Sequence, residues 1–168
     1  MKFHSIKEYF YKLTTIGFIL LLVPLVVFIS LYYYLITHRP VFVGKQSEII
    51  LLSIAVGISL VALTIVHWLF RERLKRLRNQ LELARKMDGF FSISVLRMGV
   101  YCGCELVAGI GFYLTASSLF TGLFILIVIA GVFQWPAPST FCRMMALRGA
   151  ERDMIINNRD LYQKRKRT

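Results

Sequence analysis

Residues 97–110 read Arg97-Met98-Gly99-Val100-Tyr101-Cys102-Gly103-Cys104-Glu105-Leu106-Val107-Ala108-Gly109-Ile110. They sit inside Val95–Ala116, a stretch otherwise apolar enough to cross a bilayer. A spanning helix takes about 20 apolar residues at a rise of about 1.5 Å each. A carboxylate in such a stretch costs about 3 kcal/mol even on lenient insertion scales, so Glu105 needs a partner or a proton.

Working outward, three further segments meet or approach the same length: Thr14–Ile36, Ile49–Phe70 and Leu119–Trp135, the last being the shortest. Hydrophobic residues make up 57% of the 168, above the roughly 45–50% of soluble domains, and little is left over for a soluble domain. The first apolar run follows Lys2, Lys7 and Lys12, as a signal peptide would. It is longer than an h-region, and no small-residue cleavage site follows Tyr32-Tyr33-Tyr34, so a retained anchor is expected.

The formal charge of +12 is sorted rather than spread. Of the 21 basic residues, 18 precede segment one, lie between segments two and three, or follow segment four. Arg39 and Lys45 occupy the loop between segments one and two, and Arg97 sits at a helix end. The positive-inside rule then places both termini in the cytoplasm. The basicity is a topology signal and argues against nucleic acid as a partner. Arg71, Arg73, Lys75, Arg76 and Arg78 are the residues expected at anionic lipid headgroups.

The expected fold is therefore all-α: a four-helix transmembrane bundle, N-in and C-in, with amphipathic cytoplasmic helical extensions. Residues 1–13 form an amphipathic cytoplasmic lead, with Phe3, Ile6, Tyr9, Phe10 and Leu13 at near-helical spacing, able to lie in the interface. Residues 14–138 form the transmembrane domain, with helices at 14–36, 49–70, 95–116 and 119–135 and a helical linker at 71–90. In that linker Phe70, Leu74, Leu77, Leu81 and Ala84 recur at heptad-like spacing, which carries helix two onward to Asp88-Gly89. Residues 139–168 form a basic cytoplasmic tail, with a last helix N-capped by Ser139 or Thr140. Pro24 is expected to kink helix one, freeing the carbonyl of Leu20.

The polar groups inside these segments are the candidate site. Glu105 lies near mid-depth, and its neutral carboxyl would find acceptors in Ser59 or in the Leu20 carbonyl. Arg97 is eight residues earlier, roughly 12 Å along a helix, too far for a direct ion pair. It can instead reach the cytoplasmic interface as an anchor. Gly99 and Gly103 give a G-x-x-x-G packing face with Ala108, and Gly57 serves helix two.

Other chemistry is not supported. Cys102 and Cys104 point to different sides of a helix, and the spacing to Cys142 fits neither a disulfide framework nor zinc. His38 and His67 fall at opposite membrane boundaries and cannot share a haem. Walker, nucleophile-elbow, H-E-x-x-H and C-x-x-C motifs are absent. No enzyme, cofactor or metal is expected.

Leu96-Arg97, Glu105, Tyr113-Leu114-Thr115 and the late Pro136 or Pro138 resemble a pattern in small uncharacterised bacterial four-helix integral membrane proteins, over roughly residues 70–150. That resemblance implies a bacterial inner-membrane setting and marks Arg97 and Glu105. It implies no activity. Two function classes follow. One is a scaffold or accessory subunit packing against other membrane subunits or its own copies. The other is a small transporter or ion-conducting component using Glu105 as proton- or cation-coupling group.

Overall fold

Long apolar runs satisfy their backbone N–H and C=O groups within a single segment only as helix, and the described residues of this chain are all-α. The computed structural model describes residues 6–38, 44–80, 82–147 and 149–156. Helices α1 (Ile6–His38), α2 (Lys45–Arg78), α3 (Leu83–Thr115), α4 (Ser118–Phe133), α5 (Pro138–Met144) and α6 (Ala150–Ile156) follow in order. Lys2, Phe3, Arg39, Leu81 and the basic residues after 156 lie outside the described residues.

Three helices, α1, α2 and α3, are long and apolar enough to cross a membrane. Their exposed faces are as greasy as their buried ones: Ile29 is 57% exposed, Leu60 61% and Leu126 of α4 66%. Contiguous apolar exposure on this scale has no place on a monomer in water. The expected fourth span falls short. Helix α4 has 16 residues, roughly 24 Å of rise against about 30 Å of hydrocarbon. It qualifies only if joined across its break to α5.

The chain divides into two compact units. The first takes the described residues of Met1–Gly17, Leu69–Val95 and Pro136–Thr168. Its core gathers Ile6, Tyr9, Phe10 and Leu13 of α1 with Phe70 of α2, Met87 and Phe90 of α3, and Phe141 of α5. The α1 residues expected at a lipid interface thus face protein. Tyr9 Oη donates to the Met87 carbonyl at 2.8 Å, and the Phe90 ring meets Phe141 edge-on at 4.9 Å.

Two boundaries in this unit differ from the sequence reading. Helix α2 stops at Arg78 and α3 begins at Leu83, so the heptad-like stripe is cut and its halves lie on two helices. Asp88-Gly89 is inside α3, where Leu77 packs so closely over Gly89 that a Cβ would collide with it. The glycine permits close approach rather than a stop. The tail also breaks at other points than expected. Pro138 opens α5 at its first turn, with Ala137 as N-cap in place of Ser139 or Thr140. A Schellman pattern then ends α5. Leu147 N–H donates to the Cys142 carbonyl at 3.0 Å and Ala146 N–H to that of Arg143 at 3.3 Å, with Ala146 left-handed at φ 52°.

The second unit takes Phe18–Trp68 and Leu96–Trp135. Its core is aromatic: Phe28 of α1 stacks on Phe124 of α4 at 4.1 Å and packs against Phe112 of α3 at 5.0 Å. Ala55 of α2 and Cys104 and Ala108 of α3 belong to the same core, with Leu35, Tyr101, Phe120 and Ile127. Pro24 is buried inside α1, which continues through it. The α3–α4 turn consists of Ala116 and Ser117 alone. Ala116 takes the left-handed conformation at φ 52°, and Ser117 caps α4 by accepting from Leu119 N–H at 3.2 Å.

Gly111 of α3 lies against the fully buried Phe120 ring, and a Cβ there would overlap three ring carbons. Gly111→Ala is therefore expected to destabilise the fold by about 1–3 kcal/mol, as overpacking does. Thermal unfolding in detergent, compared with the exposed control Gly122→Ala, checks it.

Candidate functional site

Helix α3 places Arg97, Tyr101 and Glu105 four residues apart, so all three fall on one face. That face is buried: Arg97 is 3% exposed and Glu105 2%. An arginine keeps its charge and needs acceptors when buried. Arg97 Nη2 finds one in the backbone carbonyl of Gln134, just past the end of α4, at 2.6 Å. Gln134 in turn donates from Nε2 to the Tyr101 hydroxyl. One residue at a helix end thereby holds two members of the α3 row, one through its main chain and one through its side chain.

Glu105 stands apart from these bonds. Its Oε2 is buried with no hydrogen-bond partner among the described residues. Ser59 Oγ of α2 is also buried without one and lies beside the Cys104 thiol, so the expected Glu105–Ser59 bond is not formed. Leu20 lies close, in the wall of the same cavity as Glu105, yet supplies no bond to Oε2 either. The cavity holds about 20 Å³, room for the centre of one water-sized sphere. Its wall includes Leu20 and Leu21 of α1, and Arg97, Tyr101 and Glu105 of α3, with Gly131 and Gln134 from the α4 side.

No family model, curated protein or solved structure matches this chain. The site is therefore read from its own chemistry.

The structure brings Arg97 and Glu105 to one cavity, although their separation along α3 is too long for a direct ion pair. Arg97 does not extend to the surface as an anchor; it is an inward group with a main-chain acceptor. Gly99 and Gly103 lie on the other side of α3, exposed, with nothing within 4 Å of a Cβ built on either. Ala108 is fully buried and packs inside, so it does not share their face. Gly57 of α2 is exposed like the glycine pair. Arg71, Arg73, Lys75, Arg76 and Arg78 are all exposed; Lys75 and Arg76 reach Glu72 only at 4.0 Å, and Arg78 Nε donates to the Met144 carbonyl at 2.6 Å. His38 stacks on Tyr34 within its own helix. Among the described residues no group of three His, Cys, Asp or Glu side chains is placed to hold a metal.

Two residues of the site, Tyr101 and Gln134, are not among those the sequence marks. Tyr101 does carry a signal: it falls midway between Arg97 and Glu105 at helical spacing. Gln134, beside Trp135-Pro136, looks like an ordinary polar residue at a helix exit.

Because Arg97 bonds the Gln134 main chain, a side-chain truncation leaves that bond in place. Gln134→Ala is expected to cost about 1 kcal/mol through the lost Tyr101 bond alone. Adding Tyr101→Phe should cost little more. A double-mutant cycle on unfolding checks the pair.

Proposed function

We propose that this chain is a multi-pass membrane protein acting as a scaffold or accessory subunit, which associates laterally through the Gly99–Gly103 side of α3. The observation that supports it is a cost with no visible return. Each glycine inside a helix is less favourable than alanine by about 1 kcal/mol. At Gly111 the fit to Phe120 offsets that cost, whereas Gly99 and Gly103 meet nothing within the described residues. Their i, i+4 spacing on a greasy outward face is the form in which membrane helices approach backbone to backbone. Leu106 and Ile110, exposed on the same side, extend the face. The sorted basic residues support an orientation with both termini cytoplasmic. The resemblance in the α3 pattern supports a bacterial inner membrane, with anionic headgroups beside the Arg71–Arg78 cluster.

Gly99→Ile with Gly103→Ile is expected to abolish co-purification of partner chains, or self-association, in mild detergent. The melting temperature should be unchanged, because both side chains enter open space. Association that survives both substitutions ends this reading.

A second reading is favoured by the buried carboxyl of Glu105, whose Oε2 has no hydrogen-bond partner among the described residues: Glu105 as a proton- or cation-coupling group. Ionisable groups inside membrane segments mark ion pathways and proton relays. Proteoliposomes should then take up protons under an imposed potential, and Glu105→Gln should abolish that uptake while the chain stays folded. Uptake equal in wild type and variant excludes the coupling role.

A further inference from the structure

Charge is costly in hydrocarbon, and wide apolar exposure is costly in water. Where the exposed side of a helix turns from charged to apolar, its surroundings change. Each long helix shows such a point near one end. On α1, Lys12 and Thr15 precede Phe18 and Ile19; on α2, Ile65 and Trp68 precede Arg71 and Arg73; on α3, Asp88 and Ser92 precede Leu96; all are exposed. Among the described residues, Tyr11 and Ile156 are the only exposed large apolar side chains of the first unit; the others belong to the second. Two contacts put three of these points at one level. The Phe18 ring meets that of Trp135 at 4.8 Å, and Arg97, next to Leu96, donates to the carbonyl of Gln134, next to Trp135, at 2.6 Å. Length agrees. Helices α1 and α3 have 33 residues and α2 has 34, about 50 Å each and well over the roughly 30 Å of hydrocarbon. Residues 18–38, 49–68 and 96–115 alone each come to about 30 Å.

We infer that the lipid hydrocarbon ends at Phe18, Trp68, Leu96 and Trp135, and that the exposed side chains of the first unit stand in water. The two tryptophans of the chain, Trp68 and Trp135, then sit at the edge, where amphipathic rings are favoured. The edge also divides the basic cluster of α2. Arg71 and Arg73 lie about 5–8 Å past Trp68 along the helix, level with the headgroup layer, whereas Arg76 lies about 12 Å past it, beyond that layer. Lipid phosphates are thereby assigned to Arg71 and Arg73, and Arg76 is left in water. Tyr11, about 10 Å before Phe18 on α1, is in water too. This edge rests on the membrane reading above and is independent of association through Gly99 and Gly103.

The test uses the full chain in bilayers whose lipids carry bromine either near the ester groups or near the chain ends. Bromine quenches tryptophan fluorescence on close approach, so the two lipids report depth. Single-tryptophan chains are compared: Trp68 alone in Trp135→Phe, Trp135 alone in Trp68→Phe, and Leu60→Trp, Tyr11→Trp and Arg76→Trp, each with both native tryptophans replaced by phenylalanine. All three added positions are exposed. Trp68 and Trp135 are expected to lose more fluorescence to bromine near the esters than to bromine near the chain ends. Leu60→Trp, about 12 Å inside the edge, should show the reverse order. Tyr11→Trp and Arg76→Trp should be quenched by iodide in the water and spared by both lipids. Trp68 or Trp135 quenched more strongly from the chain ends overturns the inference. So does quenching of Tyr11→Trp and Arg76→Trp by lipid together with shielding from iodide. If Leu60→Trp is quenched by lipid and the native tryptophans show the wrong order, the edge alone falls. If none of the five chains is quenched by lipid, the membrane reading falls with it.

Discussion

The constraint that shapes this protein is that its outside is as apolar as its inside. Ile29 and Leu126 are exposed, Phe28 and Ile127 are buried, and transfer free energy alone cannot say which is which. Lipid offers a leucine what a protein core offers, so association of helices in it depends on packing and polar bonds. The interior of the second unit is accordingly chosen by shape and polarity. Flat rings are stacked where Phe28 meets Phe124, a glycine is fitted to a ring where Gly111 meets Phe120, and a guanidinium is tied to a main-chain carbonyl where Arg97 meets Gln134.

The same constraint explains how much of the fold the residues announce. Length and hydropathy locate α1, α2 and α3, because a run of greasy residues is a strong signal wherever it lies. They do not locate the turn between α2 and α3. There Phe70, Leu74 and Leu77 are followed by Leu83, Met87 and Phe90, and a periodic stripe looks the same whether it runs on or doubles back. The break depends on Gly89 lying under Leu77, a contact between residues twelve apart that periodicity does not contain. The ending of α5 is hidden for another reason. A Schellman cap normally advertises itself with glycine, and here Ala146 occupies the left-handed position, where an L-residue costs about 1–2 kcal/mol.

The candidate site is half visible in the sequence. Glu105 and Arg97 stand out because charge is rare in such segments, and both face inward. Distance along the helix alone misrepresents how they are related. Eight residues separate them, but a tyrosine and a cavity fill the interval, and Gln134 arrives from the end of α4. Ser59 is a reasonable partner by depth, yet it lies beside Cys104, and Glu105 Oε2 has no partner among the described residues. Depth fixes one coordinate of a side chain; rotation about the helix axis and the neighbour's register fix the others, and neither is legible without the packed partner.

Helix α3 ends up with two faces that make separate demands. The inward row of Arg97, Tyr101 and Glu105 is buried, and two of its members are held by bonds to Gln134. The outward pair of Gly99 and Gly103 requires only the absence of side chains, and is indifferent to polarity deeper in. A helix advances about 100° per residue, so residues two apart, such as Tyr101 and Gly103, point to nearly opposite sides. Contacts made by one face therefore share no partner with the other, and perturbations at such sites tend to add rather than couple. The helix thus carries an open glycine face and a bonded inward row at once. What joins them is the backbone itself, so only a rotation or bend of α3 would move both together.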